Sequence, residues 1–297
     1  MAGPTAGAYR AGVAVSRLLP GALSRGLAEG AGVLAARAPQ MASRRAMVAR
    51  HLRRIHGPDL TGAPLNRMID EVFASYARYW AESLRLPGLS GAQVDAGFSG
   101  RGIDEIDLAL EAGRGAVLAL PHLGGWEWGG TWLAQTGHPV TVVVEQLRSA
   151  ELFEWFVSFR RRLGMEVVPL GPGAGSAALR ALRANRVVCL LCDRVVAQTP
   201  GVEVVFFGER TQLPAGPATL AMRAGAALLP AAVYFGASGD DHIGLVRPPL
   251  VTERAGRFRD DVVTGTQRVA AELEWLIRQA PTQWHLLQPN WPSDAPD

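Results

Sequence analysis

From about Arg114 onward, short β-rich apolar runs alternate with segments of helical period, the pattern of a mostly parallel sheet covered by helices. GAVLALP (Gly115–Pro121) predicts a buried strand and PVTVVVE (Pro139–Glu145) a second. A helix follows in SAELFEWFVSFRRRLG, with Leu152, Phe153, Phe156, Phe159 and Leu163 on one face. EVVPL (Glu166–Leu170) and RVVCLLC (Arg186–Cys192) predict two more strands, separated by the loop GPGAG and a helix around Ala177–Ala184. VEVVFFG, ALLPAAVYF and HIGLVRP are expected to continue the sheet, and an amphipathic helix over roughly Arg259–Gln279 closes it. Residues 1–90 read as helical throughout, including EVFASYARYWAESLRLP. The expected organisation is one structural domain of α/β class: a central sheet flanked by helices over 91–297, with a helical segment over 1–90 packed on it.

Charge adds an asymmetry to this picture. All 30 basic residues are Arg. Residues 1–58 hold nine of them against the single acid Glu29, a net of +8, whereas the remainder carries a net of −5. A basic end on an acidic body points to an anionic surface, and a membrane fits better than nucleic acid. The segment from Ala8 to Pro39 mixes small apolar residues with Arg10, Arg17 and Arg25. Arg10 and Arg17 share a helical face, with Val13, Val15 and Leu19 in part opposite, as in a helix lying in the interface. MASRRAMVARHLRRIHG carries Arg44, Arg45, Arg50, Arg53 and Arg54 without an acid, either a solvated face or a contact for lipid headgroups. No uncharged apolar stretch reaches the length of about 18 residues expected of a spanning helix, and Arg17 and Pro20 interrupt any signal-peptide core. The expected location is peripheral, on the cytoplasmic face of the cell membrane.

LALPHLGGWEWGG carries the most specific chemistry. His122 follows a predicted buried strand, so it lands in the crevice at the strand's carboxyl end. Gly124 and Gly125 let the chain turn into a helix whose first turn holds Glu127. Five residues along one helix lie about 140° apart, but across a strand–loop–helix corner a His and a carboxylate can meet. That pairing suits general-base catalysis: imidazole takes a hydroxyl proton while a carboxylate fixes its tautomer.

HLGGWEWGG resembles the His-x4-Asp/Glu motif of the lysophospholipid and glycerolipid acyltransferase superfamily. More narrowly, it is similar to the bacterial lipid A lauroyl/myristoyl acyltransferases and the actinobacterial phosphatidylinositol mannoside acyltransferases. SYARYWAESLRLP (Ser75–Pro87), Cys192–Ala226 with its FFG turn and Gly-Pro-led helix, and PTQWHLLQPNWP (Pro281–Pro292) extend the resemblance over most of the chain. No Asn precedes His122 and no Glu-Gly-Thr-Arg block follows, unlike the glycerol-phosphate branch. The resemblance implies His122 as catalytic base and Glu127 as its motif partner. Asp193, ending a strand, is the second candidate for orienting His122. Glu145, Arg160 and Arg194 are the expected substrate-binding residues, with Arg160, Arg161 and Arg162 forming a cation for coenzyme A phosphates and Arg194 meeting a donor phosphate or pairing with Asp193. For Glu145, Arg160 and Asp193 the alternative is an internal ion-pair network. The implied reaction moves a fatty acyl group from acyl-CoA, a substrate rather than a cofactor, to a mannose of a membrane phosphatidylinositol mannoside. A lipid A-type acceptor is the variant within the family; a catalytically silent lipid-binding protein and an esterase are the rivals outside it.

Other chemistries find no support. Cys189 and Cys192 lie three apart on a strand and face opposite ways, so neither a zinc pair nor a disulfide is expected. There is no G-x-S-x-G elbow, and GPGAGS (Gly171–Ser176) lacks the Lys of a phosphate loop. Trp126, Trp128 and Trp132 serve either core packing or an acyl groove.

Overall fold

The computed structural model describes residues 20–146, 149–196, 199, 201–236, 241–252 and 254–295. The predicted helix bearing Arg10, Val13, Val15, Arg17 and Leu19 lies outside them. The described chain begins with three helices, α1 (Gly21–Ala36), α2 (Ala42–His56) and α3 (Gly62–Arg85), followed by the short α4 (Gly91–Ala96). Strand β1 (Phe98–Arg101) and helix α5 (Asp104–Glu111) come next. The alternating part runs β2 (Ala116–Leu120), α6 (Trp126–Gln135), β3 (Val140–Val144), α7 (Ala150–Arg162), β4 (Glu166–Pro169), α8 (Ala174–Arg183) and β5 (Val187–Leu191). After the hairpin β6 (Gly201–Phe206) and β7 (Glu209–Pro214) come α9 (Gly216–Ala224), β8 (Ala227–Phe235), β9 (His242–Val246) and α10 (Phe258–Gln279).

Seven strands form one sheet in the order β1-β9-β8-β2-β5-β3-β4. β8, β2, β5, β3 and β4 pair in parallel, while β9 runs antiparallel to β8 and carries β1 beside it. β2 is buried at all five positions, as a central parallel strand covered on both faces must be. Helices α5, α6 and α7 pack on one face of the sheet; α8, α9 and α10 pack on the other. A separate apolar cluster, including Leu52, Leu65, Ile69 and Phe73, holds the N-terminal helices together.

The described part of residues 1–90 is helical, as expected. β1 is not among the predicted strands: FSGR is four residues long and mostly exposed, an edge strand without an apolar run to betray it. One expectation needs correction. VEVVFFG does not extend the main sheet. It forms a two-stranded hairpin with β7, turning through Phe207 and Gly208, both at positive φ as a two-residue hairpin turn requires. The hairpin buries Val204 and Phe206 and exposes Glu203 and Val205, the alternation of a sheet covered on one face only.

The basic face of α2 is divided: Arg44, Arg50 and Arg53 are exposed, while Arg45 and Arg54 are turned to acids of the protein. Arg45 pairs with Asp70 at 2.7 Å, and Arg54, almost buried, pairs with Glu209 at 2.9 Å and Asp294 at 2.7 Å. Arg50 donates to the carbonyls of Ser293 and Asp294, and Arg53 to that of Leu60 at 3.2 Å. None of the described helices is long and apolar enough to cross a membrane.

Candidate active site

The centre of the site follows from one strand register. β2 and β5 are parallel neighbours with Leu120 opposite Leu191, so two residues beyond their carboxyl ends His122 stands opposite Asp193. The chain leaves β2 through α6 toward β3 on one side, and leaves β5 toward β8 on the other. Such a divergence of connections opens a crevice at the strand ends, where α/β sheets place ligands. Gly124 makes the turn after His122 possible: its φ is +59°, and a Cβ there would lie 2.0 Å from the carbonyl oxygen of Val233.

His122 Nδ1–H donates to Asp193 Oδ1 at 2.6 Å, and the His122 backbone N–H donates to Oδ2 at 3.0 Å. Trp284 Nε1–H donates to the same Oδ2 at 2.8 Å. Asp193 is fully buried. Burial alone would raise its carboxyl, but the charge of His122 and the hydrogen bonds from His122 and Trp284 outweigh it and hold the pKa down at about 2. The carboxylate is therefore ionised and acceptor-only, which assigns the His122 proton to Nδ1 and leaves Nε2 for a substrate.

Glu127 takes a different place from the one expected of it. Its carboxylate receives Arg160 through Nε at 3.0 and 3.3 Å and through Nη2, and accepts from the Tyr79 hydroxyl at 3.4 Å. Glu127 is buried, and the position of its side chain in the first turn of α6 aims it at α7 rather than back at the loop. The motif's two residues thus serve two partners: His122 goes to Asp193 and Glu127 to Arg160. Arg160, expected to bind a phosphate, is committed to that ion pair, while Arg161 and Arg162 are exposed; the expected three-Arg cation does not form. Arg194 pairs with Glu145 at 2.8 Å, not with Asp193.

Trp126 sets its ring edge-on to His122, with centroids 5.6 Å apart, and stacks on Tyr79 at 4.0 Å. Trp128 belongs to the core, stacked on His242, and Trp132 stacks on Phe98. Cys189 and Cys192 are both free, and burial pushes the Cys189 thiol up to about 12. No group of three or more His, Cys, Asp or Glu placed to hold a metal occurs among the described residues.

Two spaces meet at the site. A broad groove, lined by His122, Trp126, Glu145, Arg194 and the starts of α8 and α9, opens past the strand ends. Beneath α6 lies an apolar cavity that shares Trp126, Val144, Arg160 and Leu191 with the groove. Its floor includes Val144, Leu191, Leu120, Ala231 and Val246, which the strand registers place in a single row across β3, β5, β2, β8 and β9.

The residues with contacts that the chain's pattern did not assign are Tyr79, Trp284, His285 and Asn290. Trp284, His285 and Asn290 all fall in PTQWHLLQPNWP, whose density of aromatic and amide side chains was the available signal. The His285 N–H donates to the His122 carbonyl at 2.7 Å, and the Asn290 amide to the Asp193 carbonyl at 3.0 Å.

The profile of the family described as "Bacterial lipid A biosynthesis acyltransferase" matches residues 5–293. A phosphatidylinositol mannoside acyltransferase of Mycolicibacterium smegmatis is 40% identical over 294 residues, covering 97% of this chain and 92% of that protein. One of Mycobacterium tuberculosis is 40% identical over 286 residues, covering 89% and 87% respectively. Match of the family profile over nearly the whole length shows that this chain is an acyltransferase belonging to the bacterial lipid A biosynthesis acyltransferase family.

Proposed function

We propose that this acyltransferase moves a long-chain fatty acyl group from acyl-CoA to a mannose hydroxyl of a phosphatidylinositol mannoside, with His122 as general base. The observation that carries the reading is the His122–Asp193 pair standing where a broad groove, with Glu145 and Arg194 in its wall, meets an apolar cavity. His122 Nε2 takes the proton of the acceptor hydroxyl, whose oxygen attacks the thioester carbonyl carbon. The tetrahedral intermediate collapses by breaking the C–S bond, and the imidazolium returns its proton to the leaving thiolate. Asp193 stabilises the imidazolium in between.

The apolar cavity suits the acyl chain. From β5 or β3 to β9 it crosses three or four strand spacings, about 14–19 Å. As it stands the cavity holds about 100 Å³, less than the roughly 150 Å³ that takes a benzene, so without widening it would take only the last few methylenes of the chain. The groove, with Glu145 and Arg194 at its edge, is left for the polar substrate parts. The acceptor is taken from what the two mycobacterial relatives are named for.

A peripheral membrane position, on the cytoplasmic face, goes with a lipid acceptor. α1 exposes Leu23, Leu27 and Leu34, spaced to lie on one helical face, at 50%, 57% and 71% exposure. Such a stripe suits insertion into the headgroup boundary.

The test is incubation of the purified protein with palmitoyl-CoA or palmitoyl-acyl carrier protein and purified phosphatidylinositol mannosides or a lipid A precursor, with products read by mass spectrometry. An acylated mannose formed from the CoA thioester is the expected result. Acylation of the lipid A precursor alone would reassign the acceptor, and use of the carrier protein alone would reassign the donor.

A further inference from the structure

PTQWHLLQPNWP lies 159 residues and more from His122 in sequence, yet it contacts the His122–Asp193 pair from several directions. Its first part runs alongside the His122 loop: the His285 N–H donates to the His122 carbonyl at 2.7 Å and the Gly124 N–H to the Gln283 carbonyl at 2.9 Å. Between these two bonds, Leu123 and Trp284 form an antiparallel bridge. The Trp284 indole, buried, then reaches across to Asp193 Oδ2. Further on, the Asn290 side chain holds the Asp193 carbonyl. Both members of the pair are thereby tied to one segment.

That segment is fastened in turn to the N-terminal helices. The His51 ring, buried on α2, meets the Gln288 carbonyl through Nε2 at 3.0 Å and packs against Trp284 and Trp291, with centroids 5.6 and 5.3 Å away. Arg54 lies over the Trp291 ring at 4.3 Å and binds Asp294. The Asp294 carboxylate accepts from the backbone N–H groups of Asn290 and Trp291, closing the turn that presents Asn290. The Trp291 indole donates to the Phe206 carbonyl at 3.1 Å.

We infer that residues 281–294 form a clasp in which Trp284 is a positioning residue for Asp193, and that α2 holds the clasp through His51 and Arg54. The physical reason is geometric. A carboxylate oxygen that accepts two N–H donors at fixed angles cannot rotate, so Oδ1 is held in line with His122 Nδ1. Removing the Trp284 donor leaves Oδ2 held by the His122 backbone N–H alone, loosens that alignment and leaves one lone pair of a buried anion unmet. The inference rests on the proposed role of His122 and Asp193 in transfer.

The test replaces the Trp284 indole by benzothiophene, which keeps the ring shape and puts sulfur where Nε1–H stood. Turnover should fall about tenfold, the size of one hydrogen bond to a charged group, with both Michaelis constants near wild type and the melting temperature lowered by no more than several degrees. The far-downfield proton resonance of the His122–Asp193 hydrogen bond should move. Turnover within twofold of wild type, or an unmoved resonance, overturns the inference. Arg54→Met should lower turnover in the same way and Arg54→Lys restore part of it; equal loss in both, with intact folding, would remove α2 from the argument. An Asp193→Asn enzyme with near-normal turnover would instead defeat the underlying reading of the site, so the two failures are told apart.

Discussion

Asp193→Asn isolates the electrostatic part of the site, because the amide has nearly the shape of the carboxylate. Asp193 Oδ2 accepts from two N–H groups, the His122 backbone and Trp284, so the amide oxygen must take that position. The amide NH2 then faces His122 Nδ1, 2.6 Å away in the wild type. Two donors cannot share that bond, and the imidazole must present Nδ1 as acceptor with its proton on Nε2. In that tautomer Nε2 cannot accept the proton of a hydroxyl. Loss of the carboxylate also removes the charge that stabilises the imidazolium. A wrong-tautomer exchange of this kind costs about 10⁴-fold in turnover, or about 5.4 kcal/mol of barrier. Folding should survive, since the packing and both hydrogen bonds to the oxygen are kept. The assay is steady-state transfer from a radiolabelled acyl-CoA, beside a urea melt to establish folding. Turnover within about tenfold of wild type in a folded protein would refute the assignment of Asp193 to His122.

Glu127→Ala strands the buried Arg160 guanidinium and should cost about 3–5 kcal/mol of stability by urea unfolding, whereas Glu127→Leu with Arg160→Met should recover most of it. Equal stability of the single variant and wild type would make the pair a marginal contact. Ala231→Leu raises the cavity floor on β8 and should shorten the preferred acyl chain by about four methylenes, one strand spacing, in a competition among acyl-CoA lengths; an unchanged preference would place the chain elsewhere. Acid should weaken the fold: burial lowers His51 to about 4 and His285 to about 3, so the unfolded chain takes up protons first as pH falls below 6.5. Stability present above that value is lost toward those lower pKa values, by up to about 4 kcal/mol at pH 5, and urea midpoints equal at pH 7 and pH 5 would contradict it.

The outline of the fold was legible because periodicity is local. The all-apolar run of β2 and the phenylalanine stripe of α7 declare their elements without reference to anything distant. The placement of His122 was legible for the same reason, since a residue after a buried parallel strand stands at its carboxyl end wherever that strand lies in the sheet. The partner of His122 was legible only as one of two candidates, with Glu127 placed first and Asp193, the residue the structure sets against it, second. Glu127 is five residues away and Asp193 is 71, and nothing local states that β5 pairs with β2 while β3 and β4 lie beyond it. The strand order supplies the register that sets 122 against 193, and the packing of α7 supplies the Arg that draws Glu127 away. The basic run of α2 shows the same limit: composition counts its charges, but only packing reveals that Arg45 and Arg54 face acids of α3, β7 and the C-terminal segment. What the sequence determined was the kind of element at each position and the chemical groups it carries. Which groups meet was decided by the tertiary structure, because contacts between distant residues depend on strand order and register, which local periodicity does not encode.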